Sequence, residues 1–296
     1  MRLSHKIQYL ALICLAKFIC IIPRKWALNL GSFVGWFGWT TGMRRDLVLS
    51  NIANARPSAS STELKAIGKQ AAKNFGRTVA EFIRYGIKDR DDLLQVVKVE
   101  NLSLLSDALN KGSGAILLTG HFGAWAIYFA TIAMRDIPLS LLVGKQHNEK
   151  VDSFIHKIPG DRVEFITKGR TAIKVILEKL RAGRAVVMVA DQHAGAGGIV
   201  VPFLGKNAST LPLPGSFSVK YKVPVFMMSG HRNEDGTHTV TISELPVPER
   251  ITANEQKVAV LETYNQELGK VITERPEQYF WYHRRWREES ESTENE

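Results

Sequence analysis

The sequence predicts an α/β protein: a mixed, mostly parallel sheet flanked by helices and preceded by a hydrophobic helical segment. Short continuous apolar runs at 115–119, 139–143 and 185–190 read as strands buried on both faces, the habit of parallel sheets. Between such runs, apolar residues recur at helical spacing, as in Ile173, Ile176, Leu177 and Leu180. The first 40 residues differ, with long apolar stretches punctuated by cations and tryptophans.

Taken in order, the first element is the apolar run Tyr9 to Ile22, broken by Lys17; its 14 residues fall short of the roughly 20 needed to span a bilayer. A second stretch carries Trp26, Phe33, Trp36, Phe37 and Trp39. Apolar faces with tryptophans and flanking cations fit helices lying in or dipping into a membrane interface. Residues 1–45 are therefore expected to form a membrane-associating segment, monotopic or a single N-terminal anchor. Two rival readings remain: buried core helices, and a signal peptide, against which Pro23-Arg24-Lys25-Trp26 offers no small-residue cleavage site. Cys14 and Cys20 sit inside the first run, as small hydrophobes.

Residues 46–287 are expected to form one domain. Ser60 and Glu63 have capping-box spacing and predict a helix running to about Tyr85, closed by Gly86. Strands are predicted at 115–119, 139–143, 163–166, 185–190, 225–229 and 239–242, with a helix over 170–181 before the fourth. Thr252 and Glu255 repeat the capping-box pattern at the start of a last helix to about Ile272. The segment 288–296 holds five acids and no apolar residue and reads as a solvated tail.

The formal net charge of +10 suits an anionic partner. Eight cations against the single acid Asp46 fall within residues 1–56. Because that excess lies beside tryptophans and not on a recognition helix, nucleic acid is not an expected partner.

Polar residues gather at strand ends, where open α/β sheets place their sites. His121 follows the strand at 115–119 at a helix start, and is read as a general base; its bland reading is a turn histidine satisfied by the backbone. No acid lies within one helical turn of it. Arg170 follows Gly169 at a second helix start and fits anion binding, or is a surface arginine. Asp191, Gln192 and His193 follow the strong strand at 185–190, and either Asp191 or His193 is placed to reach His121. Metal binding by His121, Asp191 and His193 lacks ligand spacing; Gly205-Lys206 has the wrong context for a P-loop, and Gly215-Ser216-Phe217 is no nucleophile elbow.

Four segments together resemble the bacterial lipid A biosynthesis (lauroyl/myristoyl) acyltransferases: RTVAEFIR at 77–84, GAILLTGHFGAWA at 114–126, the block 168–205 with its Asp191-Gln192 pair, and RPEQYFWYHRRWR at 275–287. The resemblance implies a glycerolipid acyltransferase-like fold at the cytoplasmic face of the bacterial inner membrane, within lipopolysaccharide biosynthesis. It also implies transfer of a fatty acyl chain from acyl carrier protein or coenzyme A to a hydroxyl of a lipid A precursor or related glycolipid. The acyl thioester is then a co-substrate; neither metal nor other cofactor is implied, and anionic membrane lipid is a further expected partner.

The family signature places Glu or Asp five positions after the histidine, as in HFGNWE. Carried over, the histidine is His121 and the glycine Gly123, whose backbone with Arg170 and Gln192 is expected to serve the oxyanion and donor. The asparagine position is Ala124, and the acid position is Ala126. Three explanations stay open: Asp191 or another acid supplies the missing carboxylate, the chain is a silent lipid-binding or scaffolding relative, or its sequence has been engineered.

Overall fold

The chain is described here from a computed structural model, which covers residues 13–88, 90–144 and 163–286. Ala115–Thr119 (β2) carries no charged side chain, and all five of its residues are buried. It forms the centre of a seven-stranded sheet with Val97–Glu100 (β1), Leu139–Val143 (β3), Val163–Thr167 (β4), Ala185–Val189 (β5), Val225–Arg232 (β8) and His238–Glu244 (β9). The order is β1-β9-β8-β2-β5-β3-β4. Every adjacent pair runs parallel except β8 and β9, so the expected mixed, mostly parallel sheet is present.

Two further strands, Ile199–Phe203 (β6) and Lys206–Thr210 (β7), form a separate antiparallel hairpin. Its turn is Leu204-Gly205, both at positive φ (50° and 83°), the backbone that closes a two-residue hairpin loop. Neither strand is among those the sequence predicts, because polar Lys206–Thr210 and Pro202 conceal the alternation.

Helices cover both faces of the sheet. Ser61–Ile87 (α3) starts at the predicted capping box: Ser60 Oγ accepts from the Glu63 N–H at 3.3 Å, and Glu63 Oε2 accepts from the Ser60 N–H at 2.7 Å. It passes through Gly86 instead of ending there. Its last turn is held by the helical stretch 13–21, whose carbonyls it caps: Arg84 donates to Ile19 and Ile22, and Lys88 to Cys20, at 2.6–3.0 Å. Ala253–Glu274 (α9) begins at the second predicted box, Thr252 with Glu255. The remaining helices are Arg24–Thr40 (α1), Arg45–Ala55 (α2), Leu93–Val96 (α4), Leu102–Asn110 (α5), Trp125–Ala133 (α6), Ala172–Arg181 (α7) and Leu213–Tyr221 (α8).

The expected N-terminal membrane anchor is corrected. Among the described residues, no helix is long and apolar enough to cross a membrane. Pro23 separates the stretch 13–21 from α1, and α1 has 17 residues. One face of α1 belongs to the fold: Gly31 and Gly35 lie so close to Gly76 and Ala72 of α3 that a Cβ would collide with backbone carbonyls. The anchored location at the cytoplasmic face of the inner membrane, which the resemblance implied, is corrected on the same finding. Residues 1–12, which include the start of the first apolar run, and the acidic segment 288–296 lie outside the described residues.

Candidate active site

Strands β2 and β5 are parallel neighbours in register, Thr119 opposite Val189. His121 and Asp191 each stand two residues beyond that pair, so they emerge side by side at the carboxyl edge of the sheet. Asp191 grips the histidine twice: Oδ2 accepts the His121 backbone N–H at 2.9 Å, and Oδ1 lies 2.8 Å from Nδ1. Burial alone would raise the Asp191 carboxyl, but His121, its hydrogen bonds and Arg285 outweigh it and hold the carboxyl below its usual range. An ionised carboxylate only accepts, so Nδ1 carries the imidazole proton and the Nε2 lone pair is left to face outward.

The C-terminal block forms the next wall. Phe280 donates its N–H to the His121 carbonyl at 2.9 Å, Gly123 donates to the Gln278 carbonyl at 2.9 Å, and Phe122 pairs with Tyr279 in an antiparallel bridge. The segment 278–280 thus straps the histidine turn through backbone bonds. Arg285, 2% exposed, donates to the carbonyls of Gln192 and Ser209 and to Thr210 Oγ1, tying the strap's end to the loop after β5 and the hairpin. Tyr264 of α9 donates to the Thr119 carbonyl at 2.7 Å.

Beyond His121 Nε2 lies a cavity of about 360 Å³. Phe82, Phe129, Leu141, Leu142, Phe165 and Val189 make it apolar, while Lys168 and Gln192 supply its polar groups. The indole of Trp125 meets the imidazole edge-on at 5.0 Å between centroids. Ala126 also lines the cavity, so the methyl at the motif's acid position forms part of the apolar wall.

The other predicted site residues divide. The Gln192 amide nitrogen lies 3.4 Å from His121 Nε2 and faces the cavity. Gly123 does not offer its N–H as expected, since Gln278 takes it; its φ of +61° and the nearness of the Gly230 carbonyl and Tyr128 Oη show why glycine stands there. Arg170 is exposed in the turn before α7 and does not line the cavity, where Lys168 does. His193 does not line it either, and among the described residues no three His, Cys, Asp or Glu side chains gather as a metal site would require.

Sequence reasoning gives no site role of their own to Phe82, Lys168, Arg285 and the strap. Of these, Lys168 had a signal, a cation directly after β4. The strap lies in the block 275–287 that carries the resemblance, but its backbone bonds leave no mark on residue type.

A base-competent imidazole oriented by a buried carboxylate, with an amide donor beside it and an apolar cavity in front, is suited to moving a proton during attack on an acyl group. Comparison with curated proteins finds no match. The family description "Bacterial lipid A biosynthesis acyltransferase" matches residues 1–288, and the chain belongs to that family of acyltransferases.

Proposed function

We propose that the chain transfers a fatty acyl group from an acyl carrier protein or coenzyme A thioester to a hydroxyl of a lipid A precursor or related glycolipid. The observation that carries this reading is the His121–Asp191 pair opening onto the apolar cavity. The acyl tail occupies the cavity, with the thioester carbonyl beside His121. Nε2 takes the acceptor's hydroxyl proton as the oxygen attacks the carbonyl carbon, and Asp191 stabilises the imidazolium that forms. The tetrahedral intermediate places negative charge on the former carbonyl oxygen. With the Gly123 N–H already engaged, the Gln192 amide is the donor assigned to that oxygen. Collapse breaks the C–S bond, His121 returns the proton to the leaving sulfur, and an ester and a free thiol result. Asp191 thereby takes the part that the family motif gives to the residue at Ala126. Lys168 at the cavity and the net charge of +10 favour a donor carrying phosphate or an acidic carrier.

The test is transfer of labelled acyl groups by purified protein, with both thioester types as donors and lipid A precursors as acceptors. Turnover in the wild type that vanishes in His121→Ala supports the reading. Lipid binding without turnover, unchanged in His121→Ala, replaces it with a silent lipid-binding relative.

A further inference from the structure

Behind the histidine turn lies a buried polar network that the scheme above does not use. Glu81 of α3 is fully buried, as are Thr78, Tyr128, Arg232 and His238 around it to within 7% exposure, and the part-exposed Arg24 also reaches its Oε1, at 3.4 Å. Two hydrogen-bonded arms leave its carboxylate. In the first, Oε1 lies 3.1 Å from His238 Nε2, His238 Nδ1 lies 3.1 Å from Tyr128 Oη, and Tyr128 Oη accepts the Ala124 N–H at 3.0 Å. In the second, Oε2 accepts from Arg232 at 2.5 Å, Arg232 also donates to Thr78 Oγ1 at 3.2 Å, and Thr78 Oγ1 donates to the Gly123 carbonyl at 3.2 Å. The Gly123 carbonyl and the Ala124 N–H are the two ends of one peptide group. Both arms therefore finish on the same plane, from opposite sides.

One proton order satisfies every group of the first arm. Ala124 N–H is a donor, so Tyr128 Oη accepts it and spends its own proton on His238 Nδ1; His238 then donates Nε2–H to the carboxylate. The chain does not reach His121 and carries no proton to it. It holds a peptide whose next residue, Trp125, begins α6 and packs edge-on against the His121 ring. Gly123 sits at the pivot, where Tyr128 Oη and the Gly230 carbonyl leave no room for a Cβ.

Resting on the acyl-transfer reading, we infer that Glu81 is a positioning residue: through His238–Tyr128 and Arg232–Thr78 it clamps the Gly123–Ala124 peptide and so fixes Trp125 and the His121 ring against the cavity. Removing an arm loosens the reacting geometry while replacing no residue of the cavity wall, since none of the five network residues lines the cavity.

Tyr128→Phe and Thr78→Val each cut one arm and leave the Glu81–Arg232 pair intact, which avoids the folding defect expected when Glu81→Gln leaves a buried guanidinium unpaired. Each is expected to lower kcat about fivefold, and the double variant about 25-fold or more, with KM for the thioester within about twofold of wild type. Thr78→Ser, which restores the hydroxyl, should return kcat to near the wild-type value. Amide hydrogen exchange reads the clamp without turnover: the Ala124 N–H should exchange slowly in the wild type and at least about tenfold faster in Tyr128→Phe, with β2 amides unchanged. A double variant with wild-type kcat, or an Ala124 amide equally slow in Tyr128→Phe, overturns the clamp. If the wild type itself transfers no acyl group, the acyl-transfer reading fails, and the exchange measurement alone decides whether the peptide is clamped.

Discussion

Asp191→Asn separates the two bonds that Asp191 makes to His121. The carboxylate accepts twice, from the backbone N–H at 2.9 Å and at Nδ1, 2.8 Å away. An asparagine has one oxygen and one NH₂ for those two places. With the oxygen on the backbone N–H, the NH₂ faces Nδ1 and forces the imidazole proton to Nε2, where it points into the cavity and the base is lost. With the oxygen on Nδ1, the NH₂ opposes a backbone N–H in a site 2% exposed, at about 1–3 kcal/mol for the unsatisfied donors. Losing the carboxylate's attraction for the imidazolium adds about 3 kcal/mol. Together, about 4–6 kcal/mol corresponds to a loss of about 10³- to 10⁴-fold in kcat, comparable with the roughly 10⁴-fold cost of the same acid-to-amide change in serine protease triads. The assay is steady-state transfer of labelled acyl groups, with the melting temperature as a check on folding. A folded Asp191→Asn protein that keeps more than about a tenth of wild-type kcat, beside an inert His121→Ala, would refute the role given to Asp191.

Three other outcomes follow from the same geometry. Ala126→Glu restores the motif's acid but puts a carboxylate on the apolar wall, so kcat should not exceed the wild-type value and KM for long-chain thioesters should rise, as read from saturation curves with donors of increasing length. Gly123→Ala, at φ +61° and pressed against the Gly230 carbonyl, should destabilise by about 2–4 kcal/mol, seen as a lowered urea midpoint with little soluble activity. Acid should lower the protein's stability in two steps. His283 is held down to about 4 chiefly by burial, so its contribution falls as pH drops from 6.5 toward 4. Glu81, which burial alone would raise, is held at about 2 by Arg232 and His238. Its contribution, roughly 3 kcal/mol, is complete above about pH 4.5 and lost toward pH 2. Denaturant titrations across that range should show the lower step flattened in Glu81→Gln.

The central strands were legible because a strand buried on both faces must be apolar at every position, and Ala115–Thr119 and Ala185–Val189 are nearly so. Both long helices announced their starts through capping boxes whose residues lie three apart. The hairpin at 199–210 was not legible, since only one side of it is buried consistently and its turn depends on two positive φ angles. The anchor expectation arose from Trp26, Phe33 and Phe37, which are indeed exposed. The contrary signal was in the sequence: Gly31 and Gly35, one turn apart, offer a smooth face for Ala72 and Gly76. Arg170 is given the anion-binding role in the sequence because it stands at a helix start, yet it is Lys168 that lines the cavity. A helix start fixes where a residue lies along the chain, but the path of the turn decides which side chain reaches the cavity.

The position of the acid is a consequence of sheet order. In the motif the carboxylate stands five residues after the histidine, on the helix that follows, and one local segment carries both groups. Here the helix start carries Ala124 and Ala126, and the carboxylate comes from 70 residues along the chain. That distance is closed because β2 and β5 are paired without offset, so equal steps beyond Thr119 and Val189 arrive at equal height. Neighbouring positions would not serve: beyond the end of β5 Ala190 is buried in the core and Gln192 faces the cavity. The arrangement also changes what position 126 can be. With Nδ1 and the backbone N–H of His121 already engaged by Asp191, a second carboxylate would find no vacant donor on the histidine's inner side. The methyl of Ala126 instead extends the apolar wall close to the imidazole, where the first carbons of an acyl chain would lie.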